Sequence, residues 1–277
     1  MLRNAVLFAA AAATCVSLPA QQNFISSWGQ RASATQAKQP AWPPPLITPF
    51  VGLIQVERTD FYRQTASNGT QTWNIDGNKG LNLIPFANIE VDTNLPPYLI
   101  HSSPSVVNGA GDMSFLLKYR FLSANASHGN YIMSASIQGT IPTGSYKNGS
   151  TDASVTPTVG IAKGVRWLDV QSTVGAGLPV ENTARLGRAI AWNTAMQAHA
   201  AKYFWPEIEF NATYFKGGAN DGKTQVFATP ALLAAHKLRP ENPRSRLAVC
   251  AGAGVQIATS RFHTYNHEIA VTARFLF

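Results

Sequence analysis

Hydrophobic and polar residues alternate with a period of two along much of the chain, and the alternation is cleanest in six segments. In residues 113–121, Met113, Phe115, Leu117, Tyr119 and Phe121 share one face, opposed by Ser114, Leu116, Lys118 and Arg120. Successive side chains point to opposite faces only in a strand, so the spacing predicts one. Tyr131, Met133, Ala135, Ile137 and Ile141 oppose Ser134, Ser136, Gln138 and Thr140 in the next. Leu168, Val170, Val174 and Leu178 oppose Asp169, Gln171 and Thr173, and Ile208, Phe210, Ala212 and Tyr214 oppose Glu207, Glu209, Asn211 and Thr213. Leu247, Val249, Ala251, Val255 and Ile257 oppose Arg246, Gly252, Gly254 and Gln256. In the final eleven residues, HEIAVTARFLF, the face holding Ile269, Val271, Ala273, Phe275 and Phe277 is purely apolar.

Less regular strands are expected at residues 49–63, 69–75, 81–91, 153–163, 188–198 and 223–235. The dipeptides Asn68-Gly69 and Asn148-Gly149 and the Gly-rich stretch 217–222 supply turns between strands. Six regular and six irregular segments predict twelve strands, with ten as the alternative, since bacterial outer-membrane barrels have even strand numbers.

Two all-β architectures alternate in this way, and charge chooses between them. Only 13% of residues are charged, against about 25% in soluble domains. A soluble sandwich presents its polar face to water and needs Lys and Glu there; a membrane barrel turns its apolar face to lipid and its polar face to a lumen. The scarcity of charge, with aromatic residues near strand ends such as Tyr119, Trp167, Tyr203, Trp205 and Tyr214, favours a transmembrane antiparallel β-barrel of the bacterial outer membrane. A mean hydropathy of -0.06 disfavours a helical membrane protein, whose spans each need about 20 apolar residues. The net charge of +8 is scattered along the chain, so no nucleic-acid partner is expected.

Residues 1–20 carry Arg3, an apolar run from Ala5 to Ala13 and then small residues. This pattern predicts a secretory signal cleaved after Ala20, or alternatively after Ser17. Thr14 before Cys15 disfavours a lipid-modified cysteine, and cleavage would leave Cys250 without a disulfide partner. Residues 21–45, rich in Gln, Ala, Ser and Pro and ending in PAWPPP, read as a tether. The barrel is expected over residues 46–277.

Several stretches resemble a known family. Gly111-Asp112 leads into FLLKYRFL; GNYIMSASIQGTIPTGS follows, with Pro142-Thr143-Gly144; then come TPTVGIAKGV and WPEIEFNATYF. Together, over about residues 81–277, these are similar to the outer-membrane proteins named for a meta-pathway of phenol degradation. The resemblance implies an outer-membrane transporter or channel for small aromatic or hydrophobic compounds. The final strand resembles the C-terminal assembly signal of such barrels, carried by Ile269, Val271, Phe275 and Phe277.

No catalytic motif appears: there is no G-x-S-x-G, H-E-x-x-H or phosphate loop. The six histidines fall in loops, at strand ends or just past strands and read as surface residues, so no enzyme, metal or cofactor is expected. The candidate functional residues are the polar ones on the lumen side: Lys118, Arg120, Gln138, Asp169, Gln171, Glu207, Glu209, Asn211, Arg246 and Arg274. They either pair into a structural network or form a charged constriction that selects solutes. The expected activity is diffusion of small, aromatic or hydrophobic compounds through the barrel. The alternative is a non-transporting barrel that binds a partner through outer loops, with 92–111 and 181–188 as candidates. Expected partners are the bilayer, lipopolysaccharide, the assembly machinery and a small solute.

Overall fold

The computed structural model describes residues 24, 27–77, 79–241 and 246–277. The expected signal segment lies outside them. Helix α1 (Trp28–Ala37) comes first, followed by an extended stretch to Gln55 and then by fifteen strands among the described residues. These are β1 (Val56–Thr65), β2 (Gln71–Asp76), β3 (Gly80–Phe86), β4 (Ile89–Asn94), β5 (Tyr98–His101), β6 (Gly109–Ala110), β7 (Met113–Ala124), β8 (Tyr131–Ile141), β9 (Ser154–Val165), β10 (Leu168–Pro179), β11 (Arg188–Ala198), β12 (Phe204–Lys216), β13 (Thr224–Lys237), β14 (Ala248–Ala258) and β15 (His267–Leu276).

Every neighbouring pair is antiparallel, and β1 pairs with β15 from Val56↔Leu276 to Thr65↔His267, which closes the sheet into a barrel. Three walls of the barrel are each built from two collinear strands: β2 with β3, β4 with β5, and β6 with β7. The pairings β2–β5 and β5–β6 continue those of β3–β4 and β4–β7. Counted as walls, the fold is a closed twelve-stranded antiparallel barrel of the outer-membrane type.

The three breaks lie side by side. Pro96 and Pro97 interrupt β4–β5, where proline has no N–H for the ladder, and Gly77 at φ +62° interrupts β2–β3. Leu95 N–H donates to Lys79 O at 3.1 Å and Gly111 N–H to Pro97 O at 2.7 Å, so the wall stays continuous across them. The stretch 81–91, expected as one strand, is two: Asn88 at φ +62° turns the chain between β3 and β4. The stretch 92–111, expected as a loop, contains most of a wall strand. Its prolines and glycines hid a strand that tolerates them at the break.

The alternation sets inside from outside. Leu117 is 50% exposed and its neighbour Lys118 only 7%. Phe115, Tyr119, Val159, Ile161, Val174, Trp192, Ile208, Phe210, Val255, Ile257 and Val271 are likewise exposed on the outer surface. A continuous apolar surface of this extent is incompatible with water and is what a lipid-facing wall requires.

Candidate functional site

The polar wall residues converge on a lumen, and the chain itself enters that lumen from the end where β1 starts and β15 finishes. The segment expected as a tether carries α1 and buried residues from Ala32 onward. Beyond α1 the chain runs into the barrel and returns to the start of β1. Gln39 closes this excursion at its base: its Nε2 donates to Leu53 O at 2.8 Å, and its Oε1 accepts from Leu53 N–H at 3.0 Å. Trp28 Nε1 donates to Gln55 Oε1 at 2.6 Å, tying the helix to the exit of the same loop.

The wall holds this plug mostly by its backbone. Glu207 accepts from Leu46 N–H at 3.0 Å; Glu209 accepts from Ile47 N–H at 2.8 Å and from Thr48 N–H at 2.5 Å; Glu90 accepts from Ile54 N–H. Cationic and hydroxyl groups take the carbonyls. Arg274 donates to Pro44 O and, at 2.9 Å, to Pro45 O; Arg58 donates to Leu46 O at 2.6 Å; Lys118 donates to Gly52 O at 3.2 Å; Ser134 donates to Val51 O at 2.7 Å. Hydrogen bonds to charged groups are the strong kind, and those to Glu207, Glu209 and Arg274 also give partners to buried charges that form no ion pair among the described residues.

Apolar plug residues fill pockets that the wall leaves for them. Leu46 packs with Leu233, Cys250 and Ala270; Val51 with Ile132 and Ala162; Leu53 with Ala32 and Ile84. Three inward-facing glycines make room. A Cβ on Gly160 would lie 3.0 Å from Val51 Cγ2, one on Gly254 would lie 2.8 Å from Leu46 Cδ2, and one on Gly164 would lie 2.5 Å from Trp42 Cζ2.

Most of the residues singled out from sequence face this lumen. Lys118 pairs with Glu90 at 2.6 Å. Arg120, 2% exposed, donates to Gln39 Oε1 and to Asn88 Oδ1, both at 2.7 Å. Gln171 Nε2 donates to Asp169 at 3.2 Å and to Gln197 Oε1 at 3.0 Å, and Gln197 Nε2 donates to Glu207 at 2.7 Å, which forms one buried chain. Asn211 reaches Thr48 Oγ1 of the plug at 3.3 Å, donates to Asn193 Oδ1 at 3.0 Å and accepts from Gln256 at 3.0 Å. Gln138 stands apart, donating to Ser114 Oγ at 2.9 Å.

Arg246 is the exception. It precedes β14 in the connection from β13 and donates to Ser33 O within α1, so it ties the plug helix to that connection rather than lining a wall strand. Arg58, Asp60, Glu90, Gln39, Gln197 and Gln256 were not singled out. The signal for β1 is its own alternation, with Val56, Arg58, Asp60 and Tyr62 on one face. Inward apolar residues such as Ile132, Leu233 and Cys250 break the polar side of the pattern, and each marks a plug contact.

Beyond the plug, the opposite half of the lumen is lined by Ser136, Thr140, Thr156, Thr158, Gly175 and Ala191, all partly accessible. On its other side, loop 259–266 folds inward, so that Tyr265 stacks on Phe227 at 4.6 Å and Phe262 meets Phe215 edge-on at 5.8 Å. Burial beside Glu268 raises the pKa of the Tyr265 phenol, which keeps it neutral and able to donate to Gln256. At this end the Asp112 carboxylate accepts from Gly144 N–H at 2.9 Å and from Ser150 N–H at 2.6 Å, pinning loop 142–153. Among the described residues no group of His, Cys, Asp or Glu is arranged to hold a metal ion.

The C-terminal residues expected as an assembly signal lie on or beside the outer face. Val271 and Phe275 are exposed, and the Phe277 ring lies 6.3 Å from that of Phe275.

No protein-family model and no curated protein sequence matches the chain. The resemblance to the phenol-degradation proteins therefore rests on the quoted motifs. Among solved structures, the chain is similar to an outer-membrane channel from Pseudomonas putida F1, with a TM-score of 0.54 and 13% identity over 85% of this chain and 100% of that one. It is also similar to the NanC porin, with a TM-score of 0.50 and 8% identity over 80% of this chain and 98% of that one. At these identities the likeness is one of fold.

Proposed function

We propose that the chain is an outer-membrane channel for small solutes, held shut in this conformation by its own N-terminal segment. The observation that carries this reading is the seating of residues 44–54 across the lumen, with backbone N–H and C=O groups bonded to wall carboxylates and cations. A barrel of this size has little spare bore, so a segment in its lumen governs passage. Both similar solved structures are named as a channel or a porin. The longest connection, 142–153, is at the end opposite the plug's entrance, which by the rule for such barrels is the outer side.

A solute enters the outer half, where hydroxyl-bearing and small residues face the Phe227–Tyr265 and Phe215–Phe262 pairs. That lining suits a small compound with a ring and a few polar groups, in keeping with the aromatic or hydrophobic solutes that the resemblance implies. No nucleotide or redox cofactor takes part; passage requires the plug to leave its seat.

Liposome swelling with the purified protein and its Gly160→Leu variant tests this. A Cβ here would lie 3.0 Å from Val51 Cγ2 and 3.1 Å from the Thr173 methyl, so the new side chain competes with Val51 for its seat. Slow swelling for wild type and faster swelling for the variant are expected, with small phenols and sugars as probes. Equal, negligible swelling for both, with the variant folded, would overturn the channel reading.

A further inference from the structure

On the outer surface of the barrel, at the rim away from the plug's entrance, Arg188 and Lys216 stand directly opposite each other across the β11–β12 ladder. Both are exposed, and neither forms an ion pair among the described residues. Like charges directly opposed on neighbouring strands repel. The backbone nonetheless holds them side by side. Gly187, at φ +72°, lies so close to Gly217 that a Cβ would fall 2.3 Å from the Gly217 carbonyl oxygen, and a Cβ on Gly218 would fall 2.8 Å from the Leu186 backbone. The loop before β11 and the loop after β12 are therefore clasped backbone to backbone, one residue from the two cations.

Below the pair the surface changes character. The next outward rungs are Ile190 opposite Tyr214 and Trp192 opposite Ala212, continued on β10 by Ala176 and Val174. Ile190, Tyr214, Trp192 and Val174 are exposed, and Trp192 is anchored through its indole N–H to Ser172 Oγ at 2.9 Å. Two cations thus sit above an apolar strip in which Ala176 and Ala212 leave shallow ground beside the large side chains. The other arginine of this region, Arg185, is already engaged with Asp152 at 3.1 Å.

We infer that Arg188 and Lys216 form a clamp for the phosphate of an anionic glycolipid of the outer leaflet, with its acyl chains lying along Ile190, Tyr214 and Trp192. The phosphate bridges the planar guanidinium fork and the ammonium point charge, turning their mutual repulsion into shared attraction to one anion. The inference rests on the outer-membrane reading above, which makes this rim the outer-leaflet side.

The test compares wild type with the R188Q/K216Q double variant in phosphatidylcholine vesicles containing either bisphosphorylated or dephosphorylated lipid A. Retained lipid is counted by native mass spectrometry, and the melting temperature of the barrel is followed. Wild type is expected to retain bisphosphorylated lipid A and melt higher with it, while the dephosphorylated form has no effect. The double variant should lose about tenfold in retention, as expected for lost charge-assisted bonds, with unchanged melting in phosphatidylcholine alone. Equal retention by both proteins would overturn the clamp, as would an equal melting shift from inorganic phosphate alone. Labelling of a Ser67→Cys variant in intact cells separates the premise from the clamp. Labelling from outside supports the leaflet assignment, and protection from the outside reagent would overturn it whatever the lipid result.

Discussion

The backbone N–H of Ile47 donates to Oε1 of Glu209 at 2.8 Å, a bond that joins positions 162 residues apart. The other oxygen of the same carboxylate accepts from Thr48 N–H, and Glu209 is fully buried. The bond seats the plug on β12 at about the middle of that strand. Glu209→Ala would leave two backbone donors without partners, at about 1–3 kcal/mol each. Single-channel recordings should then show more frequent or larger openings than wild type, with Glu209→Gln, which keeps one acceptor, in between. Unchanged recordings for Glu209→Ala would show that this anchor does not hold the channel shut.

Position along the strand should grade the cost of a charge on the lipid face. Val271 lies mid-strand opposite Phe61 and Ala253, whereas Val249 lies opposite Phe275, one rung from the strand end. Val271→Arg should destabilise by about 2–4 kcal/mol and Val249→Arg by about 0–1 kcal/mol. Unfolding titrations in lipid vesicles measure both, and the reverse order would invert the assigned depth.

Asp112 should control the loop at the outer mouth. Asp112→Ala removes the acceptor for Gly144 and Ser150 N–H, and the exposed Lys147 on that loop should become susceptible to trypsin. The barrel itself, closed elsewhere, should keep its melting temperature within a few degrees, since the affected bonds lie outside the wall strands. Resistance at Lys147 equal to that of wild type would contradict the latch.

A second latch on this side responds to acid. Hydrogen bonds from Thr151 and then from Asn182, with Arg185 nearby, hold the Asp152 carboxyl below the usual carboxylate range. Its folded-state pKa is lowered, so its contribution is present above the ordinary Asp value of about 3.9 and is lost as pH falls through the folded value. Amide protection in residues 180–187, taken relative to the intrinsic exchange rate at each pH, should therefore be high at neutral pH and fall only in strong acid. In Asp152→Asn the protection should lose this pH dependence; a variant that keeps it would show that another group titrates there.

The barrel was legible in the sequence because each wall position has only two choices, lipid or lumen, and the lumen side keeps its charge. Lys118, Glu207, Glu209 and Arg274 could be assigned inward from neighbours alone. The plug was not legible, because its bonds use backbone groups, which are the same at every residue, and because its prolines and glutamines have no period. Its traces were present on the wall instead, as inward apolar residues such as Ile132 and Leu233 and as the glycines of TPTVGIAKGV. The motifs that carried the family resemblance acquire physical roles here: Gly160 and Gly164 make room for the plug, Glu207 and Glu209 hold it, and Asp112 with Gly144 pins the outer loop. Strands β5 and β6 escaped for a different reason: prolines and glycines were read as loop, whereas here they break a wall whose ladder bridges the gap.

The most direct measurement locks the plug to the wall. Thr48 and Asn211 touch through their side chains at 3.3 Å, and cysteines at both positions, in a background with Cys250→Ala, can be bridged by a short bis-methanethiosulfonate reagent and released by reduction. Single-channel conductance of this protein should be absent when bridged and should appear on adding reductant, in the same bilayer. Identical conductance in the two states, with the bridge verified, would contradict the claim that residues 44–54 close the channel.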